Sequence, residues 1–132
     1  MKILFSVILI GLASLAFSQD TVKYINKEVL VDREPAYPAG EMALYSFIYQ
    51  NLRFPDAAKK QTIDVEVSVS WEVLTDGSVG NVQFLRKAGY GIDEEIEKLI
   101  RSQKFLPCIQ EGKIVKMTMM MNLPVQRRAD TN

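Results

Sequence analysis

Histidine is absent from the 132 residues, and cysteine occurs once, at position 108. The first absence removes the commonest general base and the commonest metal-ligating side chain. The second excludes an internal disulfide and, with no histidine to pair with, leaves Cys108 a poor candidate for a nucleophile. Neither sign of charge is in excess, with 16 lysines and arginines against 16 aspartates and glutamates. There is thus no basic surplus to suggest a nucleic-acid partner and no acidic block to suggest a solvated tail. A glycine-rich phosphate loop is missing too, since Gly89-Tyr90-Gly91 is too short and lacks the pattern. The longest apolar run, Ile3 to Phe17, falls short of the roughly 20 residues that a spanning helix needs.

That apolar run follows Lys2 and ends in Ala16-Phe17-Ser18. A positive start, a short apolar stretch and small residues at the cleavage positions are the layout of a secretory signal peptide. Residues 1–18 are expected to be removed after Ser18, making the protein periplasmic. Were the signal retained, the chain would be a membrane-tethered component instead. A lipid anchor would need a cysteine at the cleavage site, and Cys108 is far from it. The remaining length suits one domain that can bury a core without staples.

Residues 19–34 read as an extension in which Val22 to Val31 is β-rich and could form a short strand. Asp32 to Gly40, with two prolines and a glycine, reads as an ordered loop. Glu41 to Leu52 is expected to be a helix with Leu44, Phe47, Ile48 and Leu52 on one face. Tyr45 and Tyr49 lie on its flank, covering the core edge or offering a separate contact surface. Pro55 breaks the helix and can open a short turn through Lys60. Ile63 to Val73 alternates apolar and polar side chains without a lapse, the period of a half-buried strand. Asp76-Gly77 then marks a hairpin, and Val79 to Lys87 returns, with a bulge expected at Gly80.

Ile92 to Gln103 reads as a second helix, acidic at its start and basic at its end, as the helix dipole favours. Gln110 to Lys113 turns the chain into a last strand, Lys113 to Val125. Pro124 places the end of that strand at a sheet edge or beyond the pairing. Gln126 to Asn132 reads as a polar tail. The expected fold class is α+β: a two-layer sandwich whose antiparallel sheet has three strands, or four if Val22–Val31 joins, with two helices on one face. Ile63–Val73 should be central and the last strand at an edge.

Few side chains offer catalytic chemistry. Ser68, Ser70 and Ser78 have no base nearby in the pattern. Asp64, Glu66 and Glu72 lie on a polar strand face, where solvated charges are routine. Asp93-Glu94-Glu95 is better explained as a helix start than as a metal site. No enzyme activity, cofactor or metal is expected. An edge strand, by contrast, presents unpaired N–H and C=O groups and can accept a strand from a partner. The candidate partner-binding residues are Lys116, Met117, Thr118, Met119, Met120, Met121, Asn122 and Leu123. Met120 alone among the methionines of this strand faces the polar side. Methionine is common on surfaces that accept varied partners.

In order along the chain, several motifs resemble the TonB C-terminal domain family. Pro35-Ala36-Tyr37-Pro38-Ala39-Gly40 is similar to a proline-aromatic-proline-glycine loop of one branch. Phe54-Pro55-Asp56-Ala57-Ala58 and the Asp76-Gly77-Ser78-Val79 hairpin follow. Leu85-Arg86, Ile92-Asp93-Glu94-Glu95, Phe105 with Pro107, Gly112-Lys113 and Leu123-Pro124-Val125 complete the series. The resemblance covers residues 35–125. It departs from the family at Ala39 (glycine is usual), Phe105 (tryptophan is common), Cys108 (usually a small residue) and Ile114 (often proline). The resemblance implies a periplasmic interaction module, without the spacer and spanning helix of a full energy transducer, associated with TonB-dependent transmembrane transport. It implies an outer-membrane receptor or another envelope protein as partner, or a second copy of this chain through strand exchange. A self-capped form, with Val22–Val31 paired to the last strand, is the structural alternative.

Overall fold

A computed structural model describes residues 31–131. The expected signal peptide and most of the Val22–Val31 strand lie outside the described residues. The elements are β1 (Val31–Arg33), α1 (Glu41–Asn51), α2 (Asp56–Lys59), β2 (Ile63–Val73), β3 (Val79–Arg86), α3 (Ile92–Arg101), β4 (Cys108–Gln110), β5 (Lys113–Val115) and β6 (Met117–Arg127). They form an α+β fold with two antiparallel sheets, ordered β3-β2-β6 and β1-β4-β5.

The larger sheet follows from the alternation in β2. Its odd-numbered residues Val67, Val69, Trp71 and Val73 are buried, together with Met121, Leu123 and Val125 of β6. Leu44 and Ile48 of α1 and Ile92, Ile96 and Ile100 of α3 join the same buried cluster, so both long helices cover one face. As expected, β2 is central and β6 is an edge.

The Asp76-Gly77 hairpin forms with Gly77 at φ +84°, and Gly77 N–H donates to the Leu74 carbonyl at 2.9 Å. A β-carbon at Gly77 would collide with the Phe105 carbonyl oxygen. Phe105 N–H in turn donates to the Gly77 carbonyl at 2.9 Å, tying the hairpin to the segment before β4. Gly77→Ala therefore combines an unfavourable φ with a backbone clash. It is expected to cost about 2–4 kcal/mol, read as a lower urea midpoint at unchanged slope. The bulge expected at Gly80 is present: Trp71 pairs with Val82 and Val73 with Val79, so Gly80 and Asn81 together oppose Glu72.

Three sequence expectations are corrected. The single strand Lys113–Val125 is two strands, interrupted at Lys116. Its first part, β5, pairs with β4 rather than with the central strand. Glu111 and Gly112, both at positive φ, make the two-residue turn that joins them. Part of the expected loop Asp32–Gly40 is strand, because Val31 and Arg33 pair with Gln110 and Ile109. Val31, at the end of the expected first strand, therefore lies against β4 and not against the last strand. β6 also continues past Pro124 and Val125 to Arg127, opposite Ile63. Beyond it, Asp130 N–H donates to the Lys59 carbonyl at 2.8 Å.

The departure at Ala39 has a simple basis. Positive φ falls on Gly40 (+96°), whose N–H closes a turn onto the Tyr37 carbonyl at 2.9 Å. Position 39 therefore has no need of glycine.

Candidate functional site

The site is the outer edge of β6. In an antiparallel ladder, both backbone groups of a residue point to the same side, and the side alternates along the strand. Leu74 N–H bonds to Ser78 across the hairpin, so even-numbered residues of β2 turn their backbone toward β3 and odd-numbered ones toward β6. The register pairs odd with odd, for example Trp71 with Met119 and Val69 with Met121. Thr118, Met120, Asn122 and Pro124 therefore present their backbone groups at the edge facing away from β2, which no described strand pairs. Pro124 sits where its missing N–H would have faced outward, which is why the strand passes through it unbroken.

Two of these outward carbonyls are already engaged. Tyr45 Oη donates to the Asn122 carbonyl at 2.8 Å, and Tyr49 Oη donates to the Pro124 carbonyl at 2.7 Å. The two rings stack with centroids 6.4 Å apart. Burial, then the negative charges of Glu41 and Glu66, push the Tyr45 phenol above its ordinary range. Burial, then Tyr45, does the same for Tyr49. Both hydroxyls thus remain donors across neutral pH.

Thr118 and Met120 make no outward hydrogen bond to any described residue. They face a groove of about 450 Å³. Its floor includes Leu44, Trp71, Met117, Met119 and Met121, and its opposite wall is the segment Glu34–Tyr37 with Gly40 and Glu41. That wall is firmly held. Arg33 Nη2 donates to the Pro107 carbonyl at 2.9 Å. Ala36 and Leu106 exchange backbone bonds of 3.1 and 2.8 Å. Tyr37 Oη donates to Gln103 Oε1 at 2.7 Å, and its ring meets Phe105 edge-on. Phe105 also packs on Trp71, with centroids 5.5 Å apart. The Trp71 indole N–H is buried and finds no acceptor among the described residues.

The eight candidate residues thus divide into groups. Met121 and Leu123 are buried in the core, and Met117 and Met119 are half-buried at the groove. Thr118, Met120 and Asn122 have exposed side chains on the polar face, Met120 at 62%. Lys116 lies just outside the strand, and its ammonium bridges to Glu72 at 2.9 Å. Sequence reasoning missed the Tyr45 and Tyr49 hydroxyl contacts and the Glu34–Tyr37 wall. The i, i+4 tyrosine pair was visible, but its acceptors are backbone atoms and leave no trace in sequence.

The carboxylates considered for catalysis have structural roles or lie in solvent. Glu72 accepts Lys116 on one oxygen and Asn81 N–H of the bulge, at 3.1 Å, on the other, linking both edges of the sheet. Asp64 accepts from Gln126 at 3.3 Å. Asp93 accepts the N–H groups of Ala88 and Gly89, at 2.9 and 2.8 Å, and so fixes the loop that enters α3. Buried Cys108 is part of β4.

The Lys116 hydrogen bond, then the Asn81 N–H, hold the Glu72 carboxyl below the ordinary glutamate range. A depressed folded-state pKa contributes stability above the unfolded value, and this is lost as pH falls through the folded value. Lys116→Ala is expected to move the Glu72 midpoint upward, as read by side-chain carboxyl NMR.

An α+β fold with an accessible edge strand and a walled groove beside it defines a protein-interaction module. The family described as Gram-negative bacterial TonB protein C-terminal matches residues 50–125. The chain belongs to that family. Among solved structures, it is similar to the TonB C-terminal domain of Pseudomonas aeruginosa determined by solution NMR. The identity is 22% and the TM-score 0.38, over 78% of this chain and 92% of that one. No curated protein matches. No helix among the described residues is long and apolar enough to cross a membrane.

Proposed function

We propose that this chain is exported and binds an envelope protein by adding an extended segment of that partner to the outer edge of β6. The supporting observation is the pair of backbone positions, Thr118 and Met120, that no described residue engages and that line a groove along the edge, where an added strand would pair. The partner would be an outer-membrane TonB-dependent receptor or a related envelope protein, and the role would lie in TonB-dependent transport. Residues 1–18 would be a cleaved signal and residues 35–125 the functional domain, preceded by an extension and followed by a polar tail. No residue is assigned a catalytic role. The binding stretch within Lys116–Leu123 centres on Thr118 and Met120. Lys116 acts through Glu72, and Met121 and Leu123 support the strand from the core.

The test is capture from detergent-solubilised envelopes by the purified chain, with Met120→Pro as the edge variant. Recovery of an outer-membrane receptor by the parent and not by the variant supports the reading. Equal recovery by both rejects it.

A further inference from the structure

Charge at the groove selects among the segments that could pair there. Among the described residues, the only charged ones lining it are Glu34 and Glu41, one at each end of the wall opposite β6. Both are exposed, and neither forms an ion pair among the described residues. Glu41 lies in the first turn of α1, where the helix dipole favours a carboxylate. Glu34 is on no helix, so the dipole does not account for it. Lys116 binds Glu72 on the polar face, the Arg33 guanidinium is directed to the Pro107 carbonyl, and neither lines the groove. Among the described residues the groove lining thus carries two carboxylates and no cation, although the whole chain carries no net charge. Length is restricted as well, because the Tyr45 and Tyr49 hydroxyls hold the Asn122 and Pro124 carbonyls.

We propose that the groove takes a short extended segment of a partner protein carrying lysine or arginine. It would pair with Thr118 and Met120 while its cationic side chain lies against Glu34 and Glu41. This deepens the edge-pairing reading and rests on it. The wall, Glu34 to Glu41, lies before residue 50, where the family match begins.

The experiment is an amide NMR titration of the full chain with two end-blocked heptapeptides of alternating valine and threonine. One has a central lysine and the other a central glutamate. The lysine peptide is expected to shift the Thr118 and Met120 amides and to bind about 5-fold more tightly at low salt. In the double variant Glu34→Gln, Glu41→Gln, the ratio is expected to fall below about twofold. Both substitutions are at exposed positions, so folding should survive them. Equal binding of the two peptides at these amides would overturn charge selection and leave edge pairing standing. If neither peptide shifts the amides, both fall. Concentration-dependent shifts of the same amides without peptide would also overturn the proposal, making a second copy of this chain the occupant.

Discussion

Met120→Pro is expected to leave the domain folded, within about 1 kcal/mol of the parent, while lowering affinity for an edge-pairing peptide by about tenfold or more. The same change one residue earlier, Met119→Pro, is expected to cost on the order of 3 kcal/mol. The contrast follows from parity. Met119 lies opposite Trp71 and gives its N–H to the ladder with β2, so proline there opens the sheet beside its central strand. Met120 turns its N–H outward, as Pro124 would if it had one. The strand already accepts proline four residues further on, at a position of the same parity. Proline also pushes its preceding residue toward extended backbone, which Met119 already adopts. Chemical denaturation and peptide titration of the two variants give the comparison. Greater destabilisation by Met120→Pro would mean that the parity of β6 is reversed, and equal destabilisation that the outward N–H groups are paired as well.

Trp71→Ala is expected to be the most damaging single core truncation, at about 3–5 kcal/mol. The indole is 1% exposed, packs on Phe105 and forms part of the groove floor. Its removal empties the place where β2, the Phe105 segment and the groove beside β6 meet. Against a total stability of about 5–15 kcal/mol, the loss could leave the domain partly unfolded at physiological temperature. Trp71→Phe is expected to cost far less, about 1–2 kcal/mol. It keeps most of the ring and removes an N–H that has no acceptor among the described residues. Calorimetric unfolding of the two variants separates the packing contribution from the polar one. A phenylalanine variant as unstable as the alanine variant would show that the indole N–H does have a partner.

The central part of this fold was readable from sequence because its signals are repetitive. Eleven residues of strict alternation define β2 to the residue, and Asp76-Gly77 sets the hairpin. The spacing of Ile92, Ile96 and Ile100 gives α3 its buried face. The second sheet was not readable, because β1, β4 and β5 have three residues each. That is too short for any period, and their pairing depends on chain segments brought together only by the fold. The edge position of the last strand was readable, and β6 lies at the end of the order β3-β2-β6. Which of its residues face outward could not be read, since backbone direction depends on register with β2. The wall opposite was hidden for another reason. It is held by Arg33, Ala36 and Tyr37 acting on carbonyl, amide and glutamine partners seventy or so residues away.

The two tyrosine hydroxyls and Pro124 also bear on how the molecule behaves in a crowded compartment. A bare edge of eleven residues would be a template for endless stacking of like chains. Here the distal part is closed to such growth: Pro124 has no amide to offer, and the Asn122 and Pro124 carbonyls are already engaged by Tyr45 and Tyr49. Among the described residues, what remains unengaged is a window around Thr118 and Met120, shorter than the strand and so a poorer template for stacking. Tyr45 and Tyr49 thus shorten the stretch of β6 that could template a like strand, leaving an open edge shorter than the strand that carries it.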